Sequence, residues 1–165
     1  MRIFALVIAA LALAGACGEP RPPADGGPRK PSVRFKHGDL PAGWRRSKID
    51  GTALAFDHAA LHATITAFAN CKGIEDVSLS ALVQQELVGV EKRDVVTKSE
   101  AAVDGREAAD WVVKGELDGV PVEMELLVTR QSGCVYDLVL VSSPATFESA
   151  RADFAGFVKG FDVLP

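Results

Sequence analysis

Residues 104–141 read DGREAADWVVKGELDGVPVEMELLVTRQSGCVYDLVLV and specify the architecture more clearly than any other part of the chain. The Asp-Gly dipeptides at 104–105 and 118–119 favour type I′ hairpin turns, because aspartate and glycine tolerate the positive φ angles that these turns need. A third turn is predicted at 131–133, which reads Gln-Ser-Gly. The stretch therefore predicts an antiparallel meander of strands that follow one another along the chain.

The strand after the turn at 118–119 alternates between apolar and polar residues, as a half-buried strand does. Glu123 and Glu125 then point to solvent, and we interpret them as surface charge rather than as a catalytic pair. The strand from Cys134 to Val141 is apolar on both faces, so it is predicted to be a central strand covered on both sides. The predicted inward residues of the two strands joined at 118–119 are Ala109, Trp111, Val113, Val120, Val122, Met124, Leu126 and Val128; the outward residues are Asp110, Lys114, Glu116, Glu123, Glu125 and Thr129.

Further strands and two helices flank this meander. Strands are predicted at about 93–103, at 61–67 and, after a third Asp-Gly dipeptide at 50–51, at 52–57. A helix with Ser78 as its N-cap and a stop at Gly89 buries Leu79, Leu82, Val83 and Leu87. A final helix starts at Ser143-Pro144, ends at Gly160 and buries Phe147, Ala150, Phe154, Phe157, Val158 and Phe161. The predicted fold class is α+β: an antiparallel sheet of about six strands, with a helix before the meander and a Phe-rich helix after it.

The first 16 residues are predicted to be an export leader. Met1-Arg2 gives a basic start, and Ile3 to Ala14 is an unbroken apolar run. This run is too short to span a membrane, which needs about 20 residues, but it suits the apolar region of a signal peptide.

The end of the leader resembles the lipobox of bacterial lipoproteins. Small residues at 14–16 precede Cys17, and in that family the cysteine becomes the lipidated first residue of the mature chain. The alternative is an ordinary signal peptide, since Ala14-Gly15-Ala16 is also an A-x-A-like site with the same cleavage bond. The chain has three cysteines, and lipidation of Cys17 would leave an even pair. We therefore expect residues 17–31 to be a lipidated cysteine with a Pro/Gly-rich tether, and 32–165 to be one globular domain.

The globular part resembles the PsbP-like fold of photosystem II extrinsic P subunits, Ran-binding Mog-type proteins and many bacterial lipoproteins. The resemblance covers roughly 40–163 and rests on three segments. It implies an α/β sandwich, and it implies no catalytic residue, because the family shares no catalytic constellation. The three segments are Leu40-Pro41-Ala42-Gly43-Trp44, Asp104-Gly105-Arg106-Glu107-Ala108 and Phe154 to Phe161.

The two remaining cysteines, Cys71 and Cys134, are predicted to form a disulfide. Cys71 follows one predicted strand and Cys134 opens another, and the end of one antiparallel strand lies beside the start of its neighbour. Export supplies an oxidising setting. The alternative is a pair of buried free thiols; a metal site would need further ligands that the sequence does not place nearby.

Motifs for catalysis are absent from the sequence. It contains no GxSxG, no HExxH, no GxGxxG and no P-loop. The three histidines, His37, His58 and His62, are interpreted as surface residues. His58 and His62 are four apart, but the strand-like pattern around them would keep them well separated.

Composition and net charge exclude one class of partner but identify no chemical activity. The chain carries a formal net charge of −4 and no basic patch, so we expect no nucleic-acid partner. We expect no cofactor, no metal and no enzymatic activity. The sequence predicts a lipid-anchored envelope protein, with the outer membrane favoured, that binds or supports an unknown envelope protein. The alternatives are a carrier of a small apolar ligand between sheet and helix, and a cryptic hydrolase.

Overall fold

The computed structural model describes residues 34–48, 54–72 and 77–164. The predicted leader, Cys17, the tether and the turn at 50–51 lie outside these ranges. Within them, nine strands, two α-helices and a 3₁₀ turn form. In chain order these are β1 (Arg34–Lys36), β2 (Arg45–Ser47), β3 (Leu54–His58), the 3₁₀ turn (Ala59–Leu61), β4 (Ala63–Asn70), α1 (Leu79–Glu86), β5 (Glu91–Val103), β6 (Arg106–Leu117), β7 (Val120–Gln131), β8 (Cys134–Ser142), α2 (Phe147–Lys159) and β9 (Asp162–Leu164).

The meander and its three turns are confirmed. Asp104 and Gly105 have φ angles of 49° and 68°, and the pairs at 118–119 and 132–133 are likewise both positive. Positive φ at both central residues is the signature of the type I′ hairpin. Local turn chemistry therefore sets the register of β5 to β8.

In the described residues, seven strands form one antiparallel sheet in the order β2-β3-β4-β8-β7-β6-β5. The predicted central strand, β8, is the fourth of the seven. Helix α2 packs against β4, β7 and β8, and α1 packs against β6 and β7. Their contacts lie in two different hydrophobic clusters, so the helices cover opposite faces of the sheet, called here the α2 face and the α1 face.

Both faces bury apolar side chains, which explains why β8 has no polar face. The α2 face buries Ile65, Leu127, Tyr136, Leu138, Leu140, Phe147, Phe154 and Phe157, among others. The α1 face buries Leu82, Val83, Trp111, Met124, Leu126, Val128 and Val135, among others.

The prediction that β7 has a solvent-facing side is wrong. Glu123 and Glu125 are 8% and 7% exposed, and Thr129 is 1% exposed. These residues lie on the α2 face, where the helix and neighbouring strands cover them. Val120, predicted inward, is 60% exposed, because it stands at the hairpin end of the strand.

Helix α1 follows its prediction, but α2 begins later than expected. The Ser78 hydroxyl accepts a hydrogen bond from the Ala81 amide and caps α1. Residues 144–146 form a turn, so Thr146 rather than Ser143 precedes α2. The Thr146 hydroxyl donates to the Leu61 carbonyl, which ties the start of α2 to the 3₁₀ turn.

The strand predicted to begin at Leu61 begins instead at Ala63, because the 3₁₀ turn separates it from β3. His58 caps this turn by accepting a hydrogen bond from the Leu61 amide at Nδ1. His58 and His37 are half-buried, so their interpretation as surface histidines is wrong, whereas His62 is exposed.

A separate two-stranded ladder joins the first and last described strands. β1 and β9 pair antiparallel, with Arg34 opposite Leu164 and Lys36 opposite Asp162. Phe35 anchors this ladder to the α2 face, since its ring lies 5.2 Å from that of Phe161.

Candidate functional site

The candidate site is a groove on the α2 face, between α2 and the strands β5 to β7. Because α2 lies over β4, β7 and β8, it leaves the outer strands of this face uncovered. The groove has a volume of about 620 Å³, within the range of small-molecule sites. Its apolar lining comes from Ala101, Leu127, Phe154, Ala155 and Val158, and its charged lining from Glu125, Glu148, Arg151 and Lys159.

The polar wall of the groove is built on an ion pair between strand and helix. Arg151 donates from Nε and Nη2 to the two carboxylate oxygens of Glu125, at 3.2 and 3.1 Å. The guanidinium also lies 5.9 Å from the centre of the Phe147 ring. Two parallel hydrogen bonds fix the orientation of both groups.

A second carboxylate, from the neighbouring strand β6, interacts with this pair. Asp110 of β6 interacts with Glu125, and the Ser99 hydroxyl lies 3.4 Å from its Oδ2. Its other oxygen, Oδ1, is buried and has no hydrogen-bond partner. Burial raises the pKa of both Asp110 and Glu125, while Arg151 opposes that rise in each case.

This arrangement suits an amphipathic ligand. An alkyl or aromatic body would replace water against Leu127, Phe154 and Val158, and a polar head would reach the Glu125–Arg151 pair. Sequence reasoning missed this site because it assigned Glu125 to solvent. The sequence pattern of β7 does not show that α2 covers the α2 face and places Arg151 over this strand.

The predicted disulfide forms, joining Cys71 and Cys134. Asn70 of β4 pairs with Val135 of β8, so the next residue outward on each strand is the cysteine. The Cα atoms are 4.0 Å apart. Cys134 lies in the core of the α2 face, and Cys71 packs against the same core.

The Leu-Pro-Ala-Gly-Trp segment, His37 and His58 serve packing. Trp44 donates from its indole to Asp153 of α2 at 2.9 Å, and its ring meets that of His58 edge-on. Gly43 has a φ of 109°, and a Cβ there would lie 2.2 Å from the His58 ring. His37 stacks on Phe157. These contacts hold the segment onto α2.

The described residues contain no cluster of three or more His, Cys, Asp or Glu side chains that could hold a metal ion. In the same part of the chain, no helix is long and apolar enough to cross a membrane. Cys17 lies outside the described residues.

Comparison by sequence finds no relative: no protein-family model matches the chain, and no curated protein does. Comparison by structure finds a common fold. The solution structure of cyanobacterial PsbP from Synechocystis matches with a TM-score of 0.56 and 13% identity, over 91% of this chain and 100% of the other. LpqN of Mycobacterium tuberculosis, described as involved in cell envelope biogenesis, matches with a TM-score of 0.56 and 14% identity, over 81% and 92% of the two chains.

A protein of unknown function from Pseudomonas aeruginosa matches with a TM-score of 0.53 and 12% identity, over 86% of this chain and 88% of the other. At these identities the matches establish the fold alone. The predicted PsbP-like α+β architecture is confirmed.

Proposed function

We propose that the chain is a lipid-anchored protein of the bacterial cell envelope, with the outer membrane favoured, that acts by binding or supporting another envelope component. One observation carries this proposal: the disulfide uses Cys71 and Cys134, which leaves Cys17 as the remaining thiol of the three. Cys17 directly follows a leader that resembles a lipoprotein signal. Structural disulfides are typical of exported proteins, which supports the same location.

Acylation at Cys17 would hold the domain at a membrane without a spanning helix, since two or more acyl chains anchor stably. The residues between Cys17 and Arg34 would then stand the domain off the surface. A Pro-rich spacer of 16 residues reaches about 50 Å at 3.1 Å per residue.

The test is membrane fractionation of the full chain and of the Cys17→Ser variant, with metabolic labelling by radioactive palmitate. We expect the unaltered chain to sediment with membranes and take up label, and the variant to lose both. A Cys71→Ser/Cys134→Ser variant controls for general damage and should still be labelled. Equal release of the unaltered chain and of Cys17→Ser into the soluble fraction would overturn the proposal.

The groove supports a second candidate, a carrier of an amphipathic or apolar small molecule. The supporting observation is its apolar lining beside the Glu125–Arg151 pair. Native mass spectrometry of the chain released from its own membranes should show a co-purified ligand. Ala155→Trp, which fills the groove, should abolish that mass, whereas Ser149→Trp on an exposed position of α2 should not. If Ala155→Trp retains the ligand, the ligand binds outside the groove, and the groove is excluded as its binding site.

A further inference from the structure

The α1 face holds a buried carboxylate without a partner. Asp137 of β8 is 6% exposed, and within the described part of the chain it makes no hydrogen bond and no ion pair. Burying most of a carboxylate without a cation is costly, so such a group is protonated, hydrated through its remaining access to solvent, or paired by a group from outside the chain. Burial, together with the charge of Glu86, raises the pKa of Asp137 to about 7.

The groups around Asp137 add negative rather than positive charge. Glu86, the last residue of α1, is the neighbouring titratable group. On β7, the residue opposite is Val128, and Arg130 lies two positions further along, where its guanidinium donates to the Val77 carbonyl. In the described ranges, no lysine, arginine or histidine pairs with Asp137, and the exposed carboxylate of Glu86 adds negative charge near it.

An exposed aromatic ring lies directly across from this carboxylate. Phe68 of β4 pairs with Asp137 in the antiparallel register and is 40% exposed. Directly opposite residues have Cβ atoms about 4.5–5.5 Å apart. A cation placed beside Asp137 would therefore lie close to the Phe68 ring, and the faces of aromatic rings attract positive charge.

The part of the sheet around Asp137 is only half covered. Thr66, Val139 and Val141 lie on the same face and are half-buried, whereas α1 packs against β6 and β7. An extended segment of another protein would bring its own apolar surface to cover this half-covered strip.

We propose that the strip formed by Thr66, Phe68, Asp137, Val139 and Val141 docks an extended segment of a partner protein, whose lysine or arginine side chain inserts between Phe68 and the carboxylates of Asp137 and Glu86. The inference rests on the proposed binding role and names the partner's chemistry. It uses the α1 face, so it is independent of the groove. Charge complementarity supports it, because a basic side chain supplies the partner that the two acids lack.

The test measures binding of two matched peptides to the full chain in a non-ionic detergent. The probes are acetyl-Val-Lys-Val-amide and the same peptide with norleucine in place of lysine. Their binding is measured by NMR or by calorimetry. We expect the lysine peptide to bind at least about tenfold more tightly, the gain expected of a desolvated charge pair. Asp137→Asn and Phe68→Ala should each remove that preference, and Asp94→Asn, at an exposed acid on β5, should preserve it.

Equal binding of the two peptides, or an undiminished preference in Asp137→Asn, would overturn the proposal. Butylammonium that binds as tightly as the lysine peptide would also overturn it, because the occupant would then be a free amine. A chain that binds the lysine peptide selectively but is not retained at membranes would separate this site from the proposed anchor.

Discussion

Two buried carboxylates on neighbouring strands, one on each face of the sheet, have opposite surroundings. On the α2 face, Glu125 of β7 is held by two hydrogen bonds from Arg151. On the α1 face, Asp137 of β8 has no such partner within the described residues. Burial raises the pKa of both, yet for Asp137 the value reaches about 7, since no cation opposes the effect.

The comparison shows that the two faces are stabilised in different ways. The α2 face has an ion pair, a disulfide and a 13-residue helix. The α1 face has an eight-residue helix and an acid that costs stability whenever it is ionised. We therefore expect the α2 face to be the rigid part of the domain and the α1 face to be the adaptable part.

The largest effect should come from the covalent link on the α2 face. Cys71→Ser/Cys134→Ser should lower the free energy of unfolding by about 4 kcal/mol, because the bond closes a long loop in the unfolded chain. Urea denaturation measures this loss. Cys17→Ser, which breaks no disulfide, is the control. Equal stability of the two variants would show that the bond does not constrain the chain.

A smaller effect should follow from removing the cation on the same face. Arg151→Met should lower the free energy of unfolding by about 2 kcal/mol, because Glu125 stays buried without a partner. Adding Glu125→Gln to it should recover part of the loss. Arg46→Met, at an exposed arginine on β2, should change stability by less than about 0.5 kcal/mol. Matching losses in the two arginine variants would mean that the ion pair has no special role.

The smallest effect should come from Asp137 on the α1 face. Its replacement should raise the free energy of unfolding, whereas the two changes on the α2 face lower it. The folded-state pKa of Asp137 lies above its unfolded value of 3.8, so the folded protein binds this proton more tightly. Stability should therefore fall as the pH rises from about 4 through about 7, and level off above that. Asp137→Asn should remove most of this slope and raise stability at pH 8 by about 1–2 kcal/mol.

Urea denaturation at a series of pH values measures this profile. Asp94→Asn should keep the unaltered slope, since Asp94 is an exposed acid on β5. If Asp137→Asn keeps the full pH dependence of the free energy of unfolding, the group that titrates is another one, such as Glu86 or Asp110.

The sequence predicted the meander well because its signals are local. The positive φ at Asp104-Gly105 and the apolar character of both faces of β8 can be inferred from adjacent residues alone. The disulfide was also predictable, because the ends of two adjacent antiparallel strands must meet. The resemblance to the PsbP-like fold shares one of these local features, the turn at Asp104-Gly105.

The groove and the buried acids could not be predicted in this way. Alternation in β7 separates two faces, but it does not tell whether a second layer covers the polar one. Glu125 becomes buried because α2, more than 20 residues later in the chain, brings Arg151 over it. Asp137 is an acid in an otherwise apolar strand that was predicted to be covered on both sides. That combination indicated a buried carboxylate, but it was not used in the prediction from sequence.

The β1–β9 ladder has a mechanical consequence. Tension that enters the domain at Arg34 meets a three-residue ladder with the Lys36–Asp162 ion pair at its inner end. That ladder is small and separate from the seven-stranded sheet. Under load applied at Arg34, this ladder would open before the seven-stranded sheet, which carries the disulfide.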